Sequence, residues 1–146
     1  MKRWLALSGI LACVIMLAFA SAAMADVKTV LEREPANAAG RILLARLTLR
    51  LGDATTARKE LERAVQAGVD ASTASELDQS ILLAQGRFAD ALAAAQKEAG
   101  DQSTRRQLVI VEALMGLGRA EEARKALDAA LAAAPQDREV QLADAR

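Results

Sequence analysis

The 146-residue chain has no histidine and no tyrosine, and its one cysteine, Cys13, lies in an apolar N-terminal run. Histidine and cysteine are the most common general bases, nucleophiles and zinc ligands. A single cysteine also excludes a disulfide within the chain. The sequence therefore predicts no cofactor, no metal site and no enzymatic activity.

Carboxylates are the remaining candidates for catalysis, and they define the alternative hypothesis: a carboxylate-based enzyme or a small-ligand-binding protein of the periplasm. Successive helical residues diverge around the axis, and charged positions of an alanine-rich helix usually face solvent. The residues concerned are Asp70, Asp78, Glu112, Glu121 and Glu122.

Charge is balanced, with 19 lysines and arginines against 19 aspartates and glutamates, and no basic block is present. A chain of this kind lacks the electrostatic footprint of a nucleic-acid-binding protein. Its 53% hydrophobic content, with two prolines, is that of a folded helical domain. We expect one domain and no nucleic-acid partner.

The N-terminus has the pattern of a signal peptide. Lys2 and Arg3 precede an uncharged apolar run over residues 4–20, and Ala23-Met24-Ala25 is a small-residue cleavage motif. We therefore predict a signal peptide over residues 1–25, and a mature chain of residues 26–146 that is periplasmic or secreted. Two alternatives associate the chain with the membrane: an uncleaved apolar run, or a lipoprotein acylated at Cys13, since Ile10-Leu11-Ala12-Cys13 resembles a lipobox.

A glycine-centred motif recurs along the rest of the chain. Gly-Asp-Ala-Thr-Thr-Ala at 52–57 returns as Gly-Arg-Phe-Ala-Asp-Ala at 86–91 and as Gly-Arg-Ala-Glu-Glu-Ala at 118–123. Apolar residues at helical spacing flank each glycine, which indicates a helix, a tight turn and a second helix. A period of 34 and then 32 residues is typical of stacked helical hairpins. The fold class is all-α, a right-handed solenoid.

The units can be placed along the sequence by their glycines and prolines. We predict about three repeats with capping helices, and about seven helices in all. The boundaries are a half-repeat at 26–37, repeats at about 38–71, 72–103 and 104–137, and a capping helix at 138–146. In the second repeat, Asp78 and Gln79 occupy positions that are apolar in the other two, so the helix should either rotate slightly or leave that side exposed to solvent. Phe88, beside the turn, is interpreted as a core residue.

These repeats resemble the tetratricopeptide-repeat family over about residues 26–146. The family's aromatic positions differ here, since Arg41, Thr48, Ser75, Leu82, Gln107 and Leu114 stand there. The matching positions are Leu44, Ala57, Leu61 and Ala64; Gly86, Phe88 and Ala91; and Ile110, Leu114, Ala123, Leu127, Ala130 and Pro135.

Two phrases also resemble the repeats of exported bacterial proteins that accompany exopolysaccharide and surface-protein export systems. They are residues 47–53 together with Lys59-Glu60-Leu61, and residues 82–88. The two resemblances imply a non-catalytic scaffold or adaptor of the cell envelope that binds a protein or peptide partner.

In this family the first helix of each hairpin lines a concave groove. The resemblance implies that Arg46, Arg50 and Arg105 bind carboxylates of an extended peptide or a partner helix. Leu49, Leu108 and Met115 would take apolar side chains; alternatively, all of these residues are ordinary solvated side chains. The predicted partner-binding residues are Ile42, Arg46, Leu49, Arg50, Glu76, Ser80, Leu83, Arg105, Leu108, Glu112 and Met115.

Overall fold

A computed structural model describes residues 22–97 and 103–144, and within these ranges every regular element is an α-helix. Residues 1–21 of the predicted signal peptide (1–25) lie outside the described residues. The helices are α1 (22–33), α2 (Ala38–Arg50), α3 (Ala54–Gln66), α4 (Ala71–Ala84), α5 (Phe88–Lys97), α6 (Thr104–Gly116), α7 (Ala120–Ala133) and α8 (Arg138–Asp144). Eight helices confirm the all-α prediction, with one more than expected. None of those described is long and apolar enough to cross a membrane.

The chain divides into two compact units, Met1–Val69 and Asp70–Arg146. This boundary lies within two residues of the predicted junction between the first and second repeats. In the first unit, α2 packs against α3, and α1 contributes Val27 and Leu31 to a core that includes Leu44. Met24, from the predicted cleavage motif, packs against the same core. Cleavage after Ala25 stays a prediction.

The turn between α2 and α3 follows from local chemistry. Gly52 has φ of +84°, a left-handed conformation that glycine adopts without strain. The N–H of Asp53 donates to the carbonyl of Thr48 at 2.9 Å, and the N–H of Gly52 to that of Leu49 at 3.0 Å. This is a Schellman C-terminus. The Asp53 carboxylate then accepts from the N–H of Thr56 at 2.9 Å, which caps the N-terminus of α3.

The second unit contains α4 to α8 and has two apolar clusters. One joins α4, α5, α6 and α7 around the buried residues Leu82, Leu92 and Leu114. The other joins α6, α7 and α8, where Val140 of α8 is fully buried. Because α8 is anchored by Val140, it stands beside α6 as the first helix of a further hairpin would, and this position creates the groove described below.

Two sequence interpretations in the second repeat have different outcomes. Asp78 is only partly buried, but Gln79 is 3% exposed, so the alternative of a solvent-exposed side is wrong for Gln79, and a slight rotation of the helix stays a prediction. Gln79 can be buried because its amide donates to the Ser75 hydroxyl at 3.3 Å. Phe88 is only partly buried and not a core residue, but it does pack: its ring lies against Gly116 so closely that a Cβ there would be 2.5 Å from ring atoms.

Candidate functional site

In the second unit, the helices α4 and α6 are each the first helix of a hairpin, and α8 takes the same position after them. These three helices form a shallow hollow of about 340 Å³. α4 and α6 each contribute side chains at helical spacing from one face, and α8 contributes Glu139. The lining combines apolar groups, among them Leu83 and Leu108, with polar and charged groups. The full lining is Ser80, Leu83, Ala84, Arg105, Leu108, Val109, Glu112 and Glu139.

A second and larger hollow, of about 640 Å³, lies between α6, α7 and α8. It shares Leu108, Glu112 and Glu139 with the first hollow, so the two adjoin. We call the two hollows together the α6 groove. The second hollow is lined by residues of all three helices, including Met115 of α6, Leu127 of α7 and Leu142 of α8. Its apolar lining is Leu108, Val111, Met115, Ala120, Ala123, Leu127, Leu142 and Ala143.

The predicted binding residues of the second unit come together in this groove. Five of them line the first hollow, and Met115 lines the second. Glu76 lies beside the groove, with its carboxylate 3.9 Å from the guanidinium of Arg105. The five residues are Ser80, Leu83, Arg105, Leu108 and Glu112.

The predicted binding residues of the first unit all lie on α2. Ile42 is 6% exposed and belongs to the core, so its side chain is not available to a partner. Arg46 and Arg50 are exposed, and Leu49 is partly buried. The α6 groove as described consists of second-unit residues only. Binding at Arg46, Leu49 and Arg50 stays a prediction.

Charge around the groove is mainly negative. Arg124 is held by two carboxylates, at 3.0 Å from Asp128 and 3.0 Å from Asp144. Arg105 faces Glu76 across 3.9 Å, with both side chains largely in solvent. Glu112 and Glu139 also line the groove, and no cation of the described residues lies within ion-pair distance of either.

Sequence reasoning missed the contribution of α7 and α8 to the groove. The sequence places Glu139 and Leu142 in a capping helix and gives no role to Arg124. One signal was present, because Leu142 is a large apolar residue on a short polar helix, and it is 53% exposed. Its partial exposure beside Met115, which is 59% exposed, marks the open end of the groove.

Other carboxylates proposed for catalysis have structural roles. The Asp70 carboxylate accepts from the Ser72 hydroxyl at 2.7 Å and from the N–H of Thr73 at 2.8 Å, and these bonds lower the pKa of Asp70 to about 2. Glu122 pairs with Arg119 at 2.6 Å, and hydrogen bonding from that guanidinium lowers the pKa of Glu122. A carboxyl group held ionised in this way is a poor general acid at neutral pH.

A buried ion network lies in the first unit. Glu60, 5% exposed, accepts from Arg41 of α2 at 2.8 Å and from Arg63 of α3 at 2.5 Å. Arg41 also donates to the carbonyl of Pro35 at 2.9 Å. The network joins the two helices of the hairpin to the preceding turn, so its role is structural. Across the described ranges, no group of three or more potential metal-ligating side chains occurs.

These features define a class of protein: a helical-hairpin repeat protein with an open groove on its first helices. Residues 20–77 and 82–146 match the tetratricopeptide repeat, and the chain belongs to the tetratricopeptide-repeat family. Members of this family are typically non-catalytic and generally bind protein partners. No curated protein and no solved structure matches the chain.

Proposed function

We propose that this chain is a non-catalytic adaptor that holds a protein partner in the α6 groove. The observation that carries the proposal is the open apolar lining of the groove. Met115 and Leu142 leave more than half of their side-chain surface in water there, beside Leu108 and Val111. Contiguous exposed apolar surface rimmed by polar groups is typical of protein interaction sites.

The shape of the groove favours a segment over a globular surface. The two hollows adjoin along α6 at Leu108 and Glu112, and so form a channel between helices. An amphipathic helix or an extended peptide fits such a channel by placing apolar side chains at regular intervals. The apolar residues Leu108, Val111 and Met115 of α6 are three and four residues apart, so a partner helix with apolar side chains at the same intervals can pack against them.

We also propose that the adaptor acts in the bacterial cell envelope, as an accessory to exopolysaccharide or surface-protein export. Support comes from the N-terminal pattern and from the repeat phrases that resemble those of such proteins. The intact mass of protein recovered from the periplasm tests export and cleavage of the signal peptide. A chain beginning at Asp26 is expected. A diacylglyceryl group on Cys13 would indicate a lipoprotein, and an uncut N-terminus would indicate an anchor.

Affinity purification of the chain from its own cells tests the adaptor function. We expect a partner that co-purifies with the wild-type chain and is lost from the double variant Met115→Glu/Leu142→Glu, because charge placed on the apolar lining is costly to bury. The matched control is Leu43→Glu/Val65→Glu, which changes two residues that are also exposed but lie in the first unit. Circular dichroism should show the same helix content in all three.

Equal recovery of the partner by both variants would refute the assignment of the groove. Recovery of no partner, together with turnover of a substrate that is lost in Glu112→Gln, would favour the alternative, a carboxylate-based enzyme or a small-ligand-binding protein.

A further inference from the structure

We infer that the segment bound by the α6 groove is cationic and amphipathic, with lysine or arginine flanking an apolar stripe. The inference rests on the proposed function and specifies the chemistry of the partner. It reverses the expectation drawn from the sequence, in which arginines of the groove bind carboxylates of an acidic partner.

The first step is the charge that the groove offers to a ligand. Both arginines of the groove already face carboxylates: Arg124 is held by Asp128 and Asp144, and Arg105 faces Glu76. An acidic segment would therefore have to compete with carboxylates of the chain itself. By contrast, a cationic segment meets carboxylates that have no cation of the described residues within ion-pair distance.

The second step is the position of these carboxylates, Glu112 and Glu139. Both line both hollows, so they stand where the hollows adjoin. A segment that runs along the groove has to pass between or beside them. Glu112 comes from α6 and Glu139 from α8, so the negative charge is present on two sides of the passage.

The third step is the alternation of charge and apolar surface along α6. Glu112 lies four residues after Leu108 and three before Met115, on one stripe of the helix. A partner with apolar side chains on Leu108 and Met115 therefore places an intervening side chain near Glu112. The C-terminal end of α6, at Gly116, adds partial negative charge from the helix dipole. A lysine or arginine is the favourable residue at that position.

Three labelled amphipathic peptides test the inference. They share one leucine stripe, which is flanked by lysine in the first, by glutamine in the second and by glutamate in the third. Fluorescence anisotropy with the full chain gives their dissociation constants at low and high salt. We expect the lysine peptide to bind most tightly and the glutamate peptide least tightly, with the difference shrinking at high salt because exposed charges are screened.

The variant Glu112→Gln/Glu139→Gln should raise the dissociation constant of the lysine peptide by about two- to thirtyfold, since each exposed ion pair contributes about 0.2–1 kcal/mol. Binding of the glutamine peptide should not change. The control Glu62→Gln/Glu121→Gln removes the same charge from exposed positions that do not line the groove, and should leave all three constants unchanged.

Two results would overturn the inference: equal affinity for the lysine and glutamate peptides, or no effect of Glu112→Gln/Glu139→Gln on binding of the lysine peptide. In either case the groove itself still stands as the binding site if Met115→Glu/Leu142→Glu abolishes binding of the glutamine peptide. If none of the three peptides binds, the inference and the proposed groove both fail.

Discussion

Substitution of Glu60 by glutamine should destabilise the first unit more than any conservative change at an exposed glutamate. Glu60 is 5% exposed and accepts from two arginines, of which Arg41 keeps 17% of its side chain in water and Arg63 keeps 56%. Glutamine has nearly the same size but carries no charge. The change therefore leaves the mostly buried Arg41 without its carboxylate while packing is largely preserved.

The expected cost follows from the burial of the two arginines. Removing one partner of a fully buried pair costs about 3–5 kcal/mol. Arg63 is largely solvated and contributes little to this sum, and Arg41 keeps its hydrogen bond to the Pro35 carbonyl at 2.9 Å. We therefore expect a loss of about 2–3 kcal/mol, a large fraction of the stability of a small domain. Urea unfolding followed by circular dichroism measures it.

Two further variants separate charge loss from general sensitivity of the hairpin. Glu62→Gln, on the exposed side of α3, should change the free energy of unfolding by less than about 0.5 kcal/mol. The double change Arg41→Leu/Glu60→Leu should recover most of the loss, since apolar residues often replace a buried ion pair at little cost. A loss below about 1 kcal/mol for Glu60→Gln, or no recovery in the double variant, would refute the reasoning.

Two other predictions concern the second unit. Gly116→Ala should lower the stability of the second unit by about 1–2 kcal/mol, because the clash of a Cβ 2.5 Å from the Phe88 ring outweighs the higher helix propensity of alanine. Urea unfolding midpoints measure the loss, and the added change Phe88→Leu should recover part of it. An unchanged midpoint for Gly116→Ala would contradict the close contact. The depressed pKa of Asp70, about 2, predicts a stability contribution that is complete above about pH 4 and is lost as pH falls through about 2. Thermal midpoints of Asp70→Asn, which still caps α4, should fall less over this interval than those of the wild type, and parallel curves would contradict it.

Helix positions could be predicted from the sequence because the signals are local. The three repeat glycines at 52, 86 and 118 all have positive φ in the structure, and each ends a helix with a Schellman pattern of hydrogen bonds. Such a turn is determined by residues within six positions of one another. The same holds for Asp53, whose side chain caps the helix that it precedes.

The buried network around Glu60 could not be predicted in this way. Arg41 and Glu60 are 19 residues apart and meet only because α2 packs against α3. Along α3 alone, Glu60 lies three residues after Ala57 and four before Ala64, at the edge of the buried stripe, but this spacing does not show which residue pairs with it. From the sequence, Arg41 is only a departure from an aromatic family position, whereas in the structure its ion pair with Glu60 joins the two helices of the hairpin.

The charge of the α6 groove depends in the same way on a distant element. From α4 and α6 alone, the groove contains Arg105 against Glu76 and Glu112, which is close to balanced. Placement of α8 beside α6 adds Glu139, and pairing of Arg124 with Asp128 and Asp144 occupies the other cation. The helix interpreted as a cap thus makes the surface that a partner meets more negative. Because packing of α8 through Val140 brings Glu139 to the groove, the charge of the groove depends on the fold of the second unit, and the register of α6 alone does not determine it.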